Sequence, residues 1–362
     1  MENWNKTSFT ELISDRTKDG IKLPTNEYNQ SGLTAIIDQG QEFIAGYSDE
    51  TEGAFTDVPA IIFGDHTRVF KYVDFPFFLG ADGVKVLKAN QEINYKYLYY
   101  YFLQAKFPNT GYARHFKWLK ELQIPLLPLE TQKNIAAVLD KCTALIAKHK
   151  LMLEKYEILI KSRFIEMFGD IQTYKKEAFK DCSLFIDYRG HTPEVTETGE
   201  IRMINAKSVG KGFFKYINEY ITKEIYDVWM HRGFPKANDV LFVTEGHTFG
   251  NTCQVPSDFK IFALGQRVIT IRGNEGKLNN FYLNSYMQTD DFNQDINKYK
   301  TGGTAQGIRS KDLIKVEIPI PPYEKQLQFA AFVQQIDKSK FEIWRYLNFS
   351  DIMKRIGFIL YD

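Results

Sequence analysis

The chain has 362 residues, enough for two domains that each bury a core, and its 46 Lys and Arg against 45 Asp and Glu leave a formal charge of +1, so any polyanion-binding surface must be local. A composition of 44% hydrophobic and 25% charged residues is that of a soluble globular protein. No apolar run reaches the roughly 18 residues of a membrane span, the polar start MENWNKTSFTELISD has no signal-peptide core, and Cys142, Cys182 and Cys253 lack zinc or redox spacing, so a cytoplasmic protein with reduced thiols and no membrane partner is expected.

Residues 1–123 are expected to form a first globular unit. Short β-like runs at Thr34 to Ile37, Ala60 to Phe63 and Val84 to Leu87 sit among turn signals at Gly40, Gly46, Gly53, Gly64 and Asp82-Gly83, which predicts a mixed α/β (α+β) unit and not a doubly wound sheet. Asn94 to Phe107 is tyrosine-rich and reads as helical. Between them, FGDHTRVFKYVDFPF, Phe63 to Phe77, combines an acid, a histidine and cations with aromatics.

Residues 124–170 form a spacer, of which Pro128 to Asp170 reads as one long helix. Ile135, Val138, Cys142, Leu145, Met152, Tyr156 and Leu159 make one apolar row; Leu139, Ile146, Leu153, Ile160 and Met167 make a second that recurs at every seventh residue. A seven-residue repeat keeps one stripe turned towards one helical partner along its whole length. A helix from Thr131 to Phe168 would span about 57 Å, too long for the core of a small domain, and therefore needs such a partner.

Residues 171–317 form the second unit, opening with an echo of the first in which Phe179 lies over Phe9. Strands are expected at Ile201 to Asn205, Val240 to Val243 and Arg267 to Ile271, and Asn280 to Gln288 matches the tyrosine-rich helix. Lys300 to Arg309, KTGGTAQGIR, lacks the Gly-Lys-Ser/Thr ending that grips phosphate and magnesium, so it is read as a turn able to approach a nucleic-acid backbone.

Residues 318–362 supply the partner helix. IPIPPYEKQLQFAAFVQQID, from Ile318, repeats IPLLPLETQKNIAAVLDKCT, from Ile124, without a gap, placing Gln326 over Gln132. An internal repeat of this kind determines architecture before any local motif does. The second helix has Phe329, Val333, Ile336 and Ile343 on its seam, and a kink or break is expected at Asn348 to Asp351. The resulting expectation is two α/β units joined by two long antiparallel coiled-coil helices, with an internal pseudo-twofold repeat.

With its paired IPLLPLETQ and IPIPPYEKQ phrases, RFIEMFGD closing the first helix, TGGTAQGI ahead of the second and FGDHTR at Phe63 to Arg68, the whole chain resembles the DNA-specificity subunits of type I restriction-modification enzymes. It departs from them at Leu127, where a second proline is usual, and in lacking a helix-closing Phe-Gly-Asp after Asp362. The resemblance implies a non-catalytic subunit whose globular units are target-recognition domains, each reading half of a split target in double-stranded DNA. It also implies that the helices set the spacing and carry methyltransferase subunits, with motor-nuclease subunits completing the complex and no cofactor bound to this chain.

The residues allow rival readings. Asp65-His66 and Glu245-Gly246-His247 could begin a catalytic site but lack further ligands at helical or hairpin spacing. Asp258 with Glu275-Gly276-Lys277 has the outline of a metal-dependent nuclease set, yet falls on a turn, and Pro321-Pro322-Tyr323 follows Ile320, which cannot accept hydrogen bonds from a target amine. No metal site is therefore assigned. A coiled-coil adaptor that never touches DNA is the other alternative. Base edges are read by Arg, Lys, Asn and Gln, while cations and small polar groups hold phosphates. The candidate DNA contacts are Asp65, His66, Thr67, Arg68, Lys71 and Arg114 in the first unit, and Arg189, Lys207, His247, Thr248, Thr304, Gln306 and Arg309 in the second.

Overall fold

The computed structural model describes residues 5–80, 82–108, 113–188, 192–302 and 306–346, without the side chains of residues 341 and 344–346. Contacts divide the chain into two units, the second running from Leu151 to Arg345. The expected kink or break at Asn348 lies outside the described residues.

The first unit contains strands β1 (Lys6–Ser8), β2 (Ile13–Asp15), β3 (Thr34–Ile37), β4 (Gly46–Ser48), β5 (Ala60–Gly64), β6 (Phe70–Val73), β7 (Phe77–Leu79), β8 (Val84–Ala89) and β9 (Gln123–Pro125). They make an antiparallel sheet in the order β2-β8-β5-β6, a sheet β4-β3-β7 in which β7 runs parallel to β3, and the pair β1-β9. The unbroken apolar run of β5 follows from its place inside the unit. Ile61 and Phe63 face a core shared with Phe9, Tyr97, Tyr101 and Phe102, whereas Ala60 and Ile62 face another, with Ile37, Val73 and Phe77. A strand covered on both faces has no reason to alternate with polar residues.

The second unit repeats this plan with β10 (Lys176–Ala178), β11 (Ser183–Asp187), β12 (Ile201–Ile204), β13 (Tyr220–Ile221), β14 (Val240–Val243), β15 (Thr252–Gln254), β16 (Phe262–Leu264), β17 (Val268–Gly273) and β18 (Glu317–Pro319). The orders β11-β17-β14-β15, β13-β12-β16 and β10-β18 match the first unit strand for strand, including the one parallel pair. In β14, Val240 and Phe242 face one core and Leu241 and Val243 the other. The mixed α/β repeat expected from the sequence thus extends through the sheets, although their sequences have diverged.

The repeated glutamine explains why the lead-ins to the long helices match. Gln132 is buried, donates to the Leu127 carbonyl at 2.8 Å and accepts the amide of Asn94, which caps the tyrosine-rich helix Tyr95–Phe102, at 2.8 Å. Gln326 likewise donates to Pro321 at 2.8 Å and Lys277 at 3.0 Å, and accepts the amide of Asn279, which caps helix Asn280–Tyr286, at 2.8 Å. Tyr97 and Tyr282 donate to the carbonyls of Pro125 and Pro319, each at 2.9 Å. Each lead-in is thereby locked to its own tyrosine-rich helix.

The first long helix, Leu129–Phe168, begins in the first unit, where Ala136 joins the core and Asp140 accepts from Lys96 at 2.6 Å and Tyr100 at 2.8 Å. In the second unit its residues Ile160, Phe164, Met167 and Phe168 share a core with Phe329, Ala330, Val333 and Ile336 of the second long helix, Tyr323–Tyr346. Phe164 meets Phe329 while Glu157 pairs with Lys340 at 2.6 Å, so these segments run antiparallel. Of the expected seam, Leu139, Ile160, Phe329, Val333, Ile336 and Ile343 are buried, and Ile135, Cys142, Ile146 and Leu153 are half-buried. In the row that begins at Ile135, Val138, Leu145 and Leu159 are exposed, whereas Met152 and Tyr156 are half-buried like Ile135 and Cys142. Leu151, Ile158 and Ile165, again at every seventh position, are exposed as well, at 50%, 63% and 68%.

Candidate nucleic-acid interface

In each unit three segments of chain meet at one end of the four-stranded sheet. In the first, β5 and β6 are joined by a hairpin from Gly64 to Val69, closed by hydrogen bonds of 2.8 Å from the Gly64 amide to Val69 and from the Arg68 amide to Gly64. The Asp65 amide donates to Gly83, just before β8, at 2.7 Å, and the Asp65 carbonyl accepts the His115 amide at 2.9 Å. Gln39 braces the turn from the neighbouring sheet by accepting from the His66 amide at 3.3 Å and the Thr67 hydroxyl at 2.6 Å.

This construction separates the first unit's candidates into inner and outer groups. Asp65 is buried and its carboxylate accepts the Phe116 amide at 2.7 Å; Lys71 is buried and donates to the carbonyls of Asp38 at 2.8 Å and Glu42 at 2.5 Å. Burial holds the Lys71 ammonium below its usual pKa, with Asp38 opposing the shift. Both side chains are engaged inside the fold, so neither is presented to a duplex. Arg68 and Arg114 are exposed on the two chain segments that meet at Asp65, with His66 and Thr67 half-exposed between them. Lys85 and Lys120 lie over the Phe116 ring at 5.1 and 5.0 Å, and Lys117 over Trp118 at 4.8 Å, adding cations that the sequence reading did not select.

The second unit brings together the two loops that the sequence reading singled out separately. The Ile308 amide donates to Thr244 at 2.9 Å, the Gly246 amide to Gln306 at 3.2 Å, and Thr301 and Gly307 exchange backbone hydrogen bonds at 2.8 and 3.0 Å. His247, Gln306 and Arg309 are exposed here and Thr248 is half-exposed. The third segment is the turn before β17, where the Arg267 carbonyl accepts the Thr244 amide at 3.0 Å. Lys207 lies apart, following β12 of the other sheet, and pairs with Glu219 at 2.6 Å. Arg189 and Thr304 lie outside the described residues. Among the described residues, no group of three His, Cys, Asp or Glu side chains is placed to hold a metal ion, and no helix is long and apolar enough to cross a membrane.

The model for the type I restriction modification DNA specificity domain matches residues 1–177 and 188–348. The specificity subunit of the Escherichia coli type I restriction enzyme EcoR124I/EcoR124II is 26% identical over 344 residues, which are 87% of this chain and 82% of that one. A type I restriction enzyme specificity subunit of Haemophilus influenzae is 22% identical over 323 residues, 82% of this chain and 78% of the relative. The crystal structure of the S subunit of a type I restriction-modification system from M. genitalium has the same fold, with a TM-score of 0.65 at 15% identity, covering 98% of this chain and 94% of that one.

Proposed function

From the premise that the chain belongs to the type I restriction modification DNA specificity family, whose members are the non-catalytic specificity subunits, we propose that it directs a restriction-modification complex to a split DNA target. Residues 1–123 and 171–317 each read one half of the target. Residues 124–170 and 318–362 act as a spacer that sets the gap between the halves and docks methyltransferase subunits, to which motor-nuclease subunits add in the cytoplasm. The observation that carries this reading is the repeated meeting of three loops at one end of each four-stranded sheet, with exposed Arg68 and Arg114 in one unit and His247, Gln306 and Arg309 in the other. Arginine and glutamine can make paired hydrogen bonds to purine edges, and neighbouring hydroxyls and amides can hold phosphates.

The exposed row Leu151, Ile158 and Ile165 supports the docking role, because a seven-residue apolar repeat on a helix surface suits a partner helix. Methylome sequencing of a strain carrying this chain with its methyltransferase subunit tests the proposal. The expected result is one methylated motif in two specified halves around an unspecified gap. Methylation without a split motif, or a motif that is unchanged when this chain is deleted, would refute it.

A further inference from the structure

The two units use different residues at one equivalent backbone position. In the first, Gly83 precedes β8 with φ of +95° and its carbonyl accepts the amide of Asp65, the residue after β5. In the second, Arg267 precedes β17 with φ of +62° and its carbonyl accepts the amide of Thr244, the residue after β14. Glycine adopts this left-handed conformation without strain, whereas an arginine does so at a cost. A side chain kept there against that cost is a candidate for a role that glycine cannot fill. At Gly83 a Cβ would come within 2.5 Å of the amide end of the Gln39 side chain, which would have to move.

The Arg267 side chain crosses the candidate interface. Its Nε lies 3.3 Å from the Glu245 carboxylate, and one of its terminal nitrogens is 3.8 Å from where a Cβ on Gly246 would sit. Arg267 and Glu245 are both more than half exposed, at 59% and 55%, so an ion pair of this kind adds little to the fold. The contact places the carboxylate on the Nε edge of the guanidinium and so biases its direction. A phosphate anchor would be weakened by a carboxylate beside it, because the carboxylate repels the same anion. A base reader gains, because a guanidinium held along one edge keeps its other donors aligned for the O6 and N7 of guanine. The first unit also holds an arginine at positive φ in its hairpin, Arg68 at +63°.

We infer that Arg267 is a base-reading residue of the second unit, taking a guanine edge in that unit's half of the target, with Glu245 as its positioning residue. This rests on the DNA-reading function proposed above. The test uses the full chain assembled with its methyltransferase subunits and selects bound sites from duplexes randomised across both halves. Arg267→Gly installs the residue that the first unit uses, so the melting temperature should not fall. Discrimination at one guanine position of one half should drop roughly 5- to 100-fold while the other half is read as before. Arg267→Lys keeps the charge without the fork and should lose the same discrimination with most of the affinity retained. Glu245→Gln should weaken that position only, a change that a purely structural ion pair would not produce.

Unchanged site selection in both arginine variants would overturn the inference, as would a uniform loss of affinity with the motif intact and a salt dependence lower by about one phosphate contact. A lower melting temperature for Arg267→Gly would overturn it too, by showing that the side chain serves the fold. Failure of the parent function is distinguishable, because the unaltered complex would then select no motif at all.

Discussion

At Gln326 one buried amide group closes three contacts, joining the second long helix to the cap of a tyrosine-rich helix and to two loop carbonyls. Leucine is close in volume but leaves the Asn279 amide and the carbonyls of Lys277 and Pro321 without their partner. Gln326→Leu should therefore destabilise the second unit by about 3 kcal/mol, read as a lower urea midpoint, and Gln132→Leu should do the same in the first unit. An unchanged midpoint would remove these glutamines from the account. Both were legible in the sequence because the repeat aligns them, although the purpose of the alignment was not. The destinations of Asp65 and Lys71 were not legible, since their partners Phe116, Asp38 and Glu42 come from segments distant along the chain. A charge in a polar stretch reads as exposed until those partners are known. Arg267 reads in the sequence as the start of a strand; only the alignment of Asp82-Gly83-Val84 with Gln266-Arg267-Val268 sets it apart.

At the scale of the helices, the seven-residue period announced a packed seam but could not rank two apolar rows. Burial of Ile160, Met167, Val333 and Ile336 together identifies the inner row in the second unit. Ile160→Asp places an unpaired charge among Phe329, Val333 and Ile336 and should lower that unit's stability by several kcal/mol, about 3 or more. A third row, exposed and belonging to neither of those two, calls for the opposite outcome. Replacing Leu151, Ile158 and Ile165 together by glutamate should leave the melting temperature within a few degrees and abolish co-purification with methyltransferase subunits. Retained co-purification would move the docking surface elsewhere. Helix length is a separate variable in the proposed function. Four residues inserted after the exposed Lys148 add about 6 Å and rotate the remainder of the helix by about 40°. The unread gap in the methylated motif should then grow by one or two base pairs, and an active insertion mutant with the original gap would contradict the spacer role.

Across the whole molecule, the correspondence of sheet order between the units exceeds what their sequences show. Strand order depends on which runs are apolar on both faces, as β5 and β14 are, and that requirement is met by many residue combinations. The loops at the sheet ends escape the requirement, and they differ: an Asp-His-Thr-Arg hairpin in one unit, and in the other a Glu-Gly-His-Thr loop joined to Gln306 and Arg309. A shared scaffold carrying independent loop sets is what reading two unrelated half-sites requires. The central claim is that the two readers act independently. It is tested by exchanging residues 171–317 for the matching unit of a relative with a different target and sequencing the methylome of the host. One half of the methylated motif should become that of the relative while the other half stays as it was; a change in both halves, or in neither, would contradict the account.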